Sequence, residues 1–130
     1  MIHINLIPIK RSVSQQEFDE MSELCKVQEK ATDSDMKMWK NDITPKSKVV
    51  KCLDACVGER MGMMKNNKLD VDAVMQAVQQ ENRNQKTIAD LNEVFNECKS
   101  ITDPDRCESS AKILECINNG SRKRGLQEIF

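Results

Sequence analysis

The chain has 130 residues, six cysteines and a formal net charge of −1, with 20 basic residues against 21 acidic ones. So even a balance leaves no cationic surplus for a phosphate backbone. Three phenylalanines, one tryptophan and no tyrosine offer little for stacking bases, so nucleic acid is excluded as a partner. No apolar run reaches the ~18 residues a membrane span needs, and one domain with a modest core is expected.

In chain order, residues 1–13 come first. Ile2, Ile4 and Leu6 alternate with His3 and Asn5, the period of an extended arm, and Pro8 keeps the segment out of a helix interior. The segment lacks the long apolar core and small-residue cleavage site of a secretory signal, so the chain is read as a mature form. The arm either frays or lies on this domain or on a second copy of it.

Ser14-Gln-Gln-Glu17 is a capping box opening a first helix, on which Phe18, Met21, Leu24, Cys25 and Gln28 recur at helical spacing. Thr32-Asp-Ser-Asp35 offers a second cap before a short helix with Met36, Met38 and Trp39, which either contribute to the interior or seat a surface helix. Thr44-Pro45 places a cap and a first-turn proline before a third helix. That helix carries Val49, Cys52, Leu53, Cys56, Val57 and Met61 and ends at Gly62. "KNNK" is a loop. Asp70 caps a fourth helix with Val71, Val74, Met75 and Val78 on one face. After the polar "QQENRNQ", a fifth helix carries Ile88, Leu91, Val94, Phe95 and Cys98. Asp103-Pro104 opens a sixth, with Cys107, Ala111, Ile113, Leu114, Cys116 and Ile117, stopping before Gly120. Beyond the arm, strand signals are nearly absent.

The cysteines are Cys25, Cys52, Cys56, Cys98, Cys107 and Cys116. An even number in a short chain points to a disulfide framework and an oxidising compartment. Cys52-x₃-Cys56 lacks the Cys-x₂-Cys spacing of zinc knuckles and thioredoxin-like sites, and the only histidine is His3, so neither metal nor cofactor is expected. With one histidine near the end of the chain, no Ser–His–Asp or Cys–His set forms readily. No catalytic residue is assigned, and the chain is not read as an enzyme. Helical geometry excludes two pairs. Cys52 and Cys56 stand ~5–6 Å apart at Cβ, too far for a bridge. Cys107 and Cys116 lie on opposite faces, ~13 Å apart along the axis. Of the 15 connectivities open to six cysteines, ten survive.

The spacing itself carries a resemblance. There are 26 residues between Cys25 and Cys52, three to Cys56, 41 to Cys98, then eight and eight to Cys107 and Cys116. This order resembles the six-cysteine pheromone and general odorant-binding proteins of insects, and it covers residues 14 to about 120. The resemblance implies the bridges Cys25–Cys56, Cys52–Cys107 and Cys98–Cys116. It implies an all-α fold: a compact domain of about six helices over residues 14–120, stapled by three interlocked disulfides around an apolar cavity. Residues 1–13 are then an arm and 121–130 a tail.

The implied function is a secreted carrier of small hydrophobic molecules, such as odorants, pheromones or fatty-acid-like ligands. It would work as a monomer or weak homodimer in sensillar lymph or a similar fluid, with an olfactory receptor as partner. The alternatives are a carrier or scavenger of amines or lipids outside olfaction, and a stapled interaction protein without a cavity. The candidate lining is Met61, Met64, Val74, Met75, Val78, Ile88, Leu91, Phe95, Ile113, Leu114 and Ile117, with Phe130 as a plug from the tail; ordinary core is the competing reading for each. With His3 in the arm, any response to acid should come from carboxylates rather than a histidine.

Overall fold

The computed structural model describes residues 14–41, 47–80 and 84–126. The expected arm, Thr44-Pro45, Ile129 and Phe130 lie outside them. Among the described residues there are six helices and one short hairpin: α1 (Gln15–Gln28), α2 (Asp33–Asn41), α3 (Lys48–Arg60), β1 (Met64–Lys65), β2 (Lys68–Leu69), α4 (Val71–Gln79), α5 (Gln85–Cys98) and α6 (Arg106–Lys123).

Local chemistry explains most of the boundaries. The Ser14 hydroxyl accepts the Glu17 N–H at 3.1 Å, and the Glu17 carboxylate accepts the Ser14 N–H at 3.4 Å. Thr32 and Asp35 make the same reciprocal pair ahead of α2, at 3.0 and 2.9 Å. Asp70 caps α4 through the Ala73 N–H. Gly62, at φ +79°, ends α3: the Met63 N–H reaches back to the Gly58 carbonyl and the Gly62 N–H to that of Glu59, which satisfies two free carbonyls of the last turn.

Four expectations need correction. The third helix starts at Lys48, capped by Ser47, which accepts the Val50 N–H at 3.1 Å. The sixth starts two residues late. The Asp103 carboxylate accepts the Asp105 N–H at 2.9 Å and so makes a turn, and Asp105 becomes the cap, accepting the N–H groups of Cys107 and Glu108. That helix also runs through Gly120 to Lys123. A Cβ at Gly120 would stand 3.1 Å from Val94 Cγ1, so this glycine permits a close approach to α5 rather than ending the helix. The reversal falls at Gly125, beyond the expected boundary at 120, and returns Leu126 to the core. Finally, "KNNK" is the centre of a two-stranded antiparallel hairpin, with Met64 opposite Leu69 and Lys65 opposite Lys68. Asn66 and Asn67, both at positive φ, make the primed kind of turn that suits strand twist.

α3 is the central element. Val50, Leu53, Asp54, Ala55, Cys56, Val57 and Gly58 are all buried, leaving it covered on most sides through its middle. It packs most extensively on α6 and also receives α1 and α2; α5 packs on α6 and α4 on α5, while β1 touches α3 and β2 touches α6. Three disulfides follow these seams: Cys25–Cys56 joins α1 to α3, Cys52–Cys107 joins α3 to α6, and Cys98–Cys116 joins α5 to α6. On α1 the buried stripe is Phe18, Ser22 and Cys25, which leaves Leu24 on the outer face, half exposed. Ser22 tolerates burial because its hydroxyl donates to the Phe18 carbonyl at 2.9 Å.

Candidate functional site

Among the described residues, an apolar-lined cavity lies where α3, α6 and the hairpin meet. It is a cavity of about 20 Å³, bounded by Asp54 and Gly58 from α3, Met63, Met64 and Leu69 from the hairpin region, and Ser110, Ile113, Leu114 and Ile117 from α6. That volume accommodates about one water molecule. A Cβ on Gly58 would touch Met64 Cγ at 3.4 Å, so the missing side chain lets the methionine lie against the helix.

The hairpin wall is pinned at its tip. Asn67 Nδ2 donates to the carbonyls of Asp103 (3.2 Å) and Pro104 (3.4 Å), and the Asn67 carbonyl accepts the hydroxyls of Thr102 and Ser109. Pleating turns Met64 and Leu69 inward and Lys65 and Lys68 to solvent.

The α3–α6 wall is held more firmly. Cys52–Cys107 crosses it. Charges flank the bridge: Lys48 pairs with Asp105 and, at 3.5 Å, with Glu108; Lys51 reaches Glu108 at 3.0 Å; Arg106 reaches Glu59 at 2.9 Å and Glu29 at 3.0 Å. The hydrogen bond from Lys48, and next the Cys107 N–H, hold the Asp105 carboxyl below its ordinary range. Lys51 does the same for Glu108, and Lys112 for Asp103. Burial lowers the affinity of Arg106 for its proton, but Glu59 and Glu29 together outweigh it and hold the guanidinium above its usual value.

One polar group stands at the cavity's edge on α3. Asp54 is 4 % exposed, and its Oδ1 accepts the Trp39 indole N–H at 2.6 Å. Trp39 is itself fully buried and stacks on Phe18 with ring centroids 6.2 Å apart. The short α2 is thus seated into the core through Met36 and Trp39, with Met38 left outside.

The expected lining is divided by the structure. Met64, Ile113, Leu114 and Ile117 surround the cavity. Val74, Val78, Leu91 and Phe95 are buried in the shared core and do not border it, and Met61 and Ile88 pack half-buried on that core. Met75 and Ile88 border an outer cleft between α4 and α5. Sequence reasoning missed Met63, Leu69, Asp54 and Ser110. Asp54 left a signal: a lone acid in the otherwise apolar turn Leu53–Val57. Among the described residues, no group of three or more His, Cys, Asp or Glu is placed to hold a metal ion. No described helix is long and apolar enough to cross a membrane.

A helical core stapled by these three bridges beside an apolar cavity can now be set beside known proteins. Residues 10–119 match the model of the PBP/GOBP family. The chain belongs to that family. It is 30 % identical over 110 residues to general odorant-binding protein 28a of Drosophila melanogaster, covering 82 % of this chain and 77 % of that protein. It is 28 % identical over 111 residues to general odorant-binding protein 19d of the same fly, covering 83 % and 74 %. Among solved structures, it is similar to Drosophila odorant-binding protein 28a with a TM-score of 0.72 at 28 % identity, covering 91 % of this chain and 98 % of that one. It shares its fold with a fatty acid binding protein, OBP56a, from the oral disk of the blowfly Phormia regina: TM-score 0.68, 23 % identity, coverage 85 % and 96 %. A member of this family is a secreted carrier of small hydrophobic molecules rather than an enzyme.

Proposed function

We propose that this protein carries small, poorly water-soluble molecules in the cavity between α3, α6 and the hairpin. The observation that carries this reading is the lining, six of whose residues are large and aliphatic: Met63, Met64, Leu69, Ile113, Leu114 and Ile117. Binding draws its free energy from apolar ligand surface leaving water, at about 25 cal/mol per Å². At about 20 Å³ the cavity is a closed form, and a ligand enlarges it by moving side chains. Met63 and Met64 suit that task, being unbranched and polarizable, and they sit on the thin hairpin wall. The name of the blowfly protein favours a long aliphatic ligand over a compact ring, and the scarcity of aromatic residues here supports the same choice. Delivery through an extracellular fluid such as sensillar lymph, to an olfactory receptor, fits the family. Phe130 as a plug remains part of the proposal, and removing residues 127–130 tests it through the ligand dissociation rate.

The direct test is displacement of a fluorescent apolar probe by a panel of fatty acids, alcohols, terpenoids and amines, alongside organic extraction of the purified protein. Saturable displacement by aliphatic members is expected. A protein that binds no member and yields no extracted ligand is a stapled interaction protein instead.

A further inference from the structure

The outer face of α1 carries an unburied apolar patch with a charged border. Gln16, Asp19, Glu20, Glu23, Leu24 and Val27 share one side of the helix, at the three- and four-residue spacings that align side chains along it. The buried stripe, Phe18, Ser22 and Cys25, faces the core instead. Leu24 is 52 % exposed and Val27 76 %. The face has a direction. Asp19, Glu20 and Glu23 come first along the helix, and the two aliphatic side chains lie toward its end. Among the described residues none of these three acids has an ion pair, and Lys26 of the same helix is engaged by Asp33.

Residues 1–13 join this helix at its cap, Ser14, and carry the complementary order. They hold no acid; Lys10 and Arg11 stand next to the junction, and Leu6, Ile7 and Ile9 precede them. We propose that residues 6–11 fold back along α1, with Lys10 and Arg11 against Asp19, Glu20 and Glu23 and the aliphatic side chains against Leu24 and Val27. The lengths agree. At about 1.5 Å per residue the acids lie roughly 8–14 Å along the helix from Ser14, and Leu24 and Val27 roughly 15–20 Å. With Ser12 and Val13 spent on the reversal, an extended chain rises about 3.3 Å per residue. It brings Arg11 and Lys10 roughly 3–7 Å past the turn, where their long side chains reach the acids, and Ile7 and Leu6 roughly 17–20 Å past it. Pro8 keeps this stretch out of a helix interior. A second copy's α1 fits the face badly, because a two-fold contact would set acids against acids. The arm then lies on the side of α1 turned away from α3, to which Cys25 ties the opposite side, and the inference does not depend on the carrier reading.

The test is NMR of the full chain with isoleucine, leucine and valine methyl groups labelled. Cross-relaxation peaks should join the methyls of Leu6 and Ile7 to those of Leu24 and Val27, with an intensity that dilution leaves unchanged. Lys10→Glu with Arg11→Glu should lower the docked population, by a factor of about two to five for each ion pair lost, the range for exposed pairs. Adding Glu20→Lys with Glu23→Lys should restore the peaks. Both glutamates are exposed, so their reversal leaves the core intact. Absence of the peaks in the wild type overturns the inference. So does their appearance only between differently labelled copies in a mixed sample, which would make the face a contact between chains. A charge reversal on the arm that the reversal on α1 fails to rescue overturns it too. Each of these outcomes leaves the carrier reading standing.

Discussion

The two walls of the cavity are built to different standards. The α3–α6 wall has helices of 13 and 18 residues, a disulfide closing a separation of 55 residues, and ion pairs on both sides of it. The hairpin wall has strands of two residues each and is pinned through one side chain and one carbonyl, both of Asn67. A wall with few buried contacts opens at lower free energy than one at the centre of the core. The covalent framework therefore holds the shape of the cavity, and under the proposed function the hairpin is the side on which a ligand would enter.

Breaking the stronger wall should have the largest effect. Replacing Cys52 and Cys107 with serine together releases the longest of the three loops and should lower stability by about 4 kcal/mol on the chain-entropy scale, read as a reduced urea midpoint. The loops overlap, so losses from separate bridges should not add. A loss no larger than that from removing Cys98–Cys116, whose separation is 18 residues, would place the main constraint elsewhere.

Breaking the weaker wall should cost less. Asn67→Ala removes a side chain that bonds two carbonyls and forces alanine to φ +62°, a cost of about 1–2 kcal/mol. Hydrogen exchange should quicken across residues 63–69 while Leu53 and Ile117 keep their protection, and ligand association should be faster. Uniform quickening over the whole chain would show that the two walls do not differ.

Acid should loosen the seam at the start of α6. Asp103, Asp105 and Glu108 have folded pKa values below the ordinary 3.8, 3.8 and 4.5. Groups of this sign contribute stability that is fully present above the ordinary values and is lost as pH falls through the folded ones. The melting temperature should therefore decline below about pH 4.5, and less steeply once Lys48 and Lys51 are replaced by alanine. These are exposed pairs, so the effect is the smallest of the three, and high salt should shrink it. His3→Ala should leave the profile unchanged.

Much of the helical framework was legible because caps are local. Ser14 with Glu17, Thr32 with Asp35, Asp70 and Gly62 can each be recognised within four residues. The misreadings fall where a residue serves a distant partner. Gly120 signals a helix end until Val94 is known to press against it. Asp103 signals a cap until its bonds to Asp105 and Lys112 are seen. Geometry left ten cysteine pairings open, and only the family resemblance chose among them. The cavity was half legible. Periodicity marks Ile113, Leu114 and Ile117 as inward-facing, but it marks Val74, Val78 and Phe95 equally, and only packing separates a lining residue from a core one. Two-residue strands are too short for any alternation to show, so Met63 and Leu69 went unseen with the hairpin that carries them.

The eight methionines offer the most direct test of where the ligand sits. With methionine methyl groups labelled by carbon-13, titration with an aliphatic alcohol should shift the Met63 and Met64 signals to saturation, while Met38 on the outer face of α2 and Met75 in the α4–α5 cleft stay still. Saturable shifts at Met75, with Met63 and Met64 unmoved, would place the site between α4 and α5 and contradict the cavity described here.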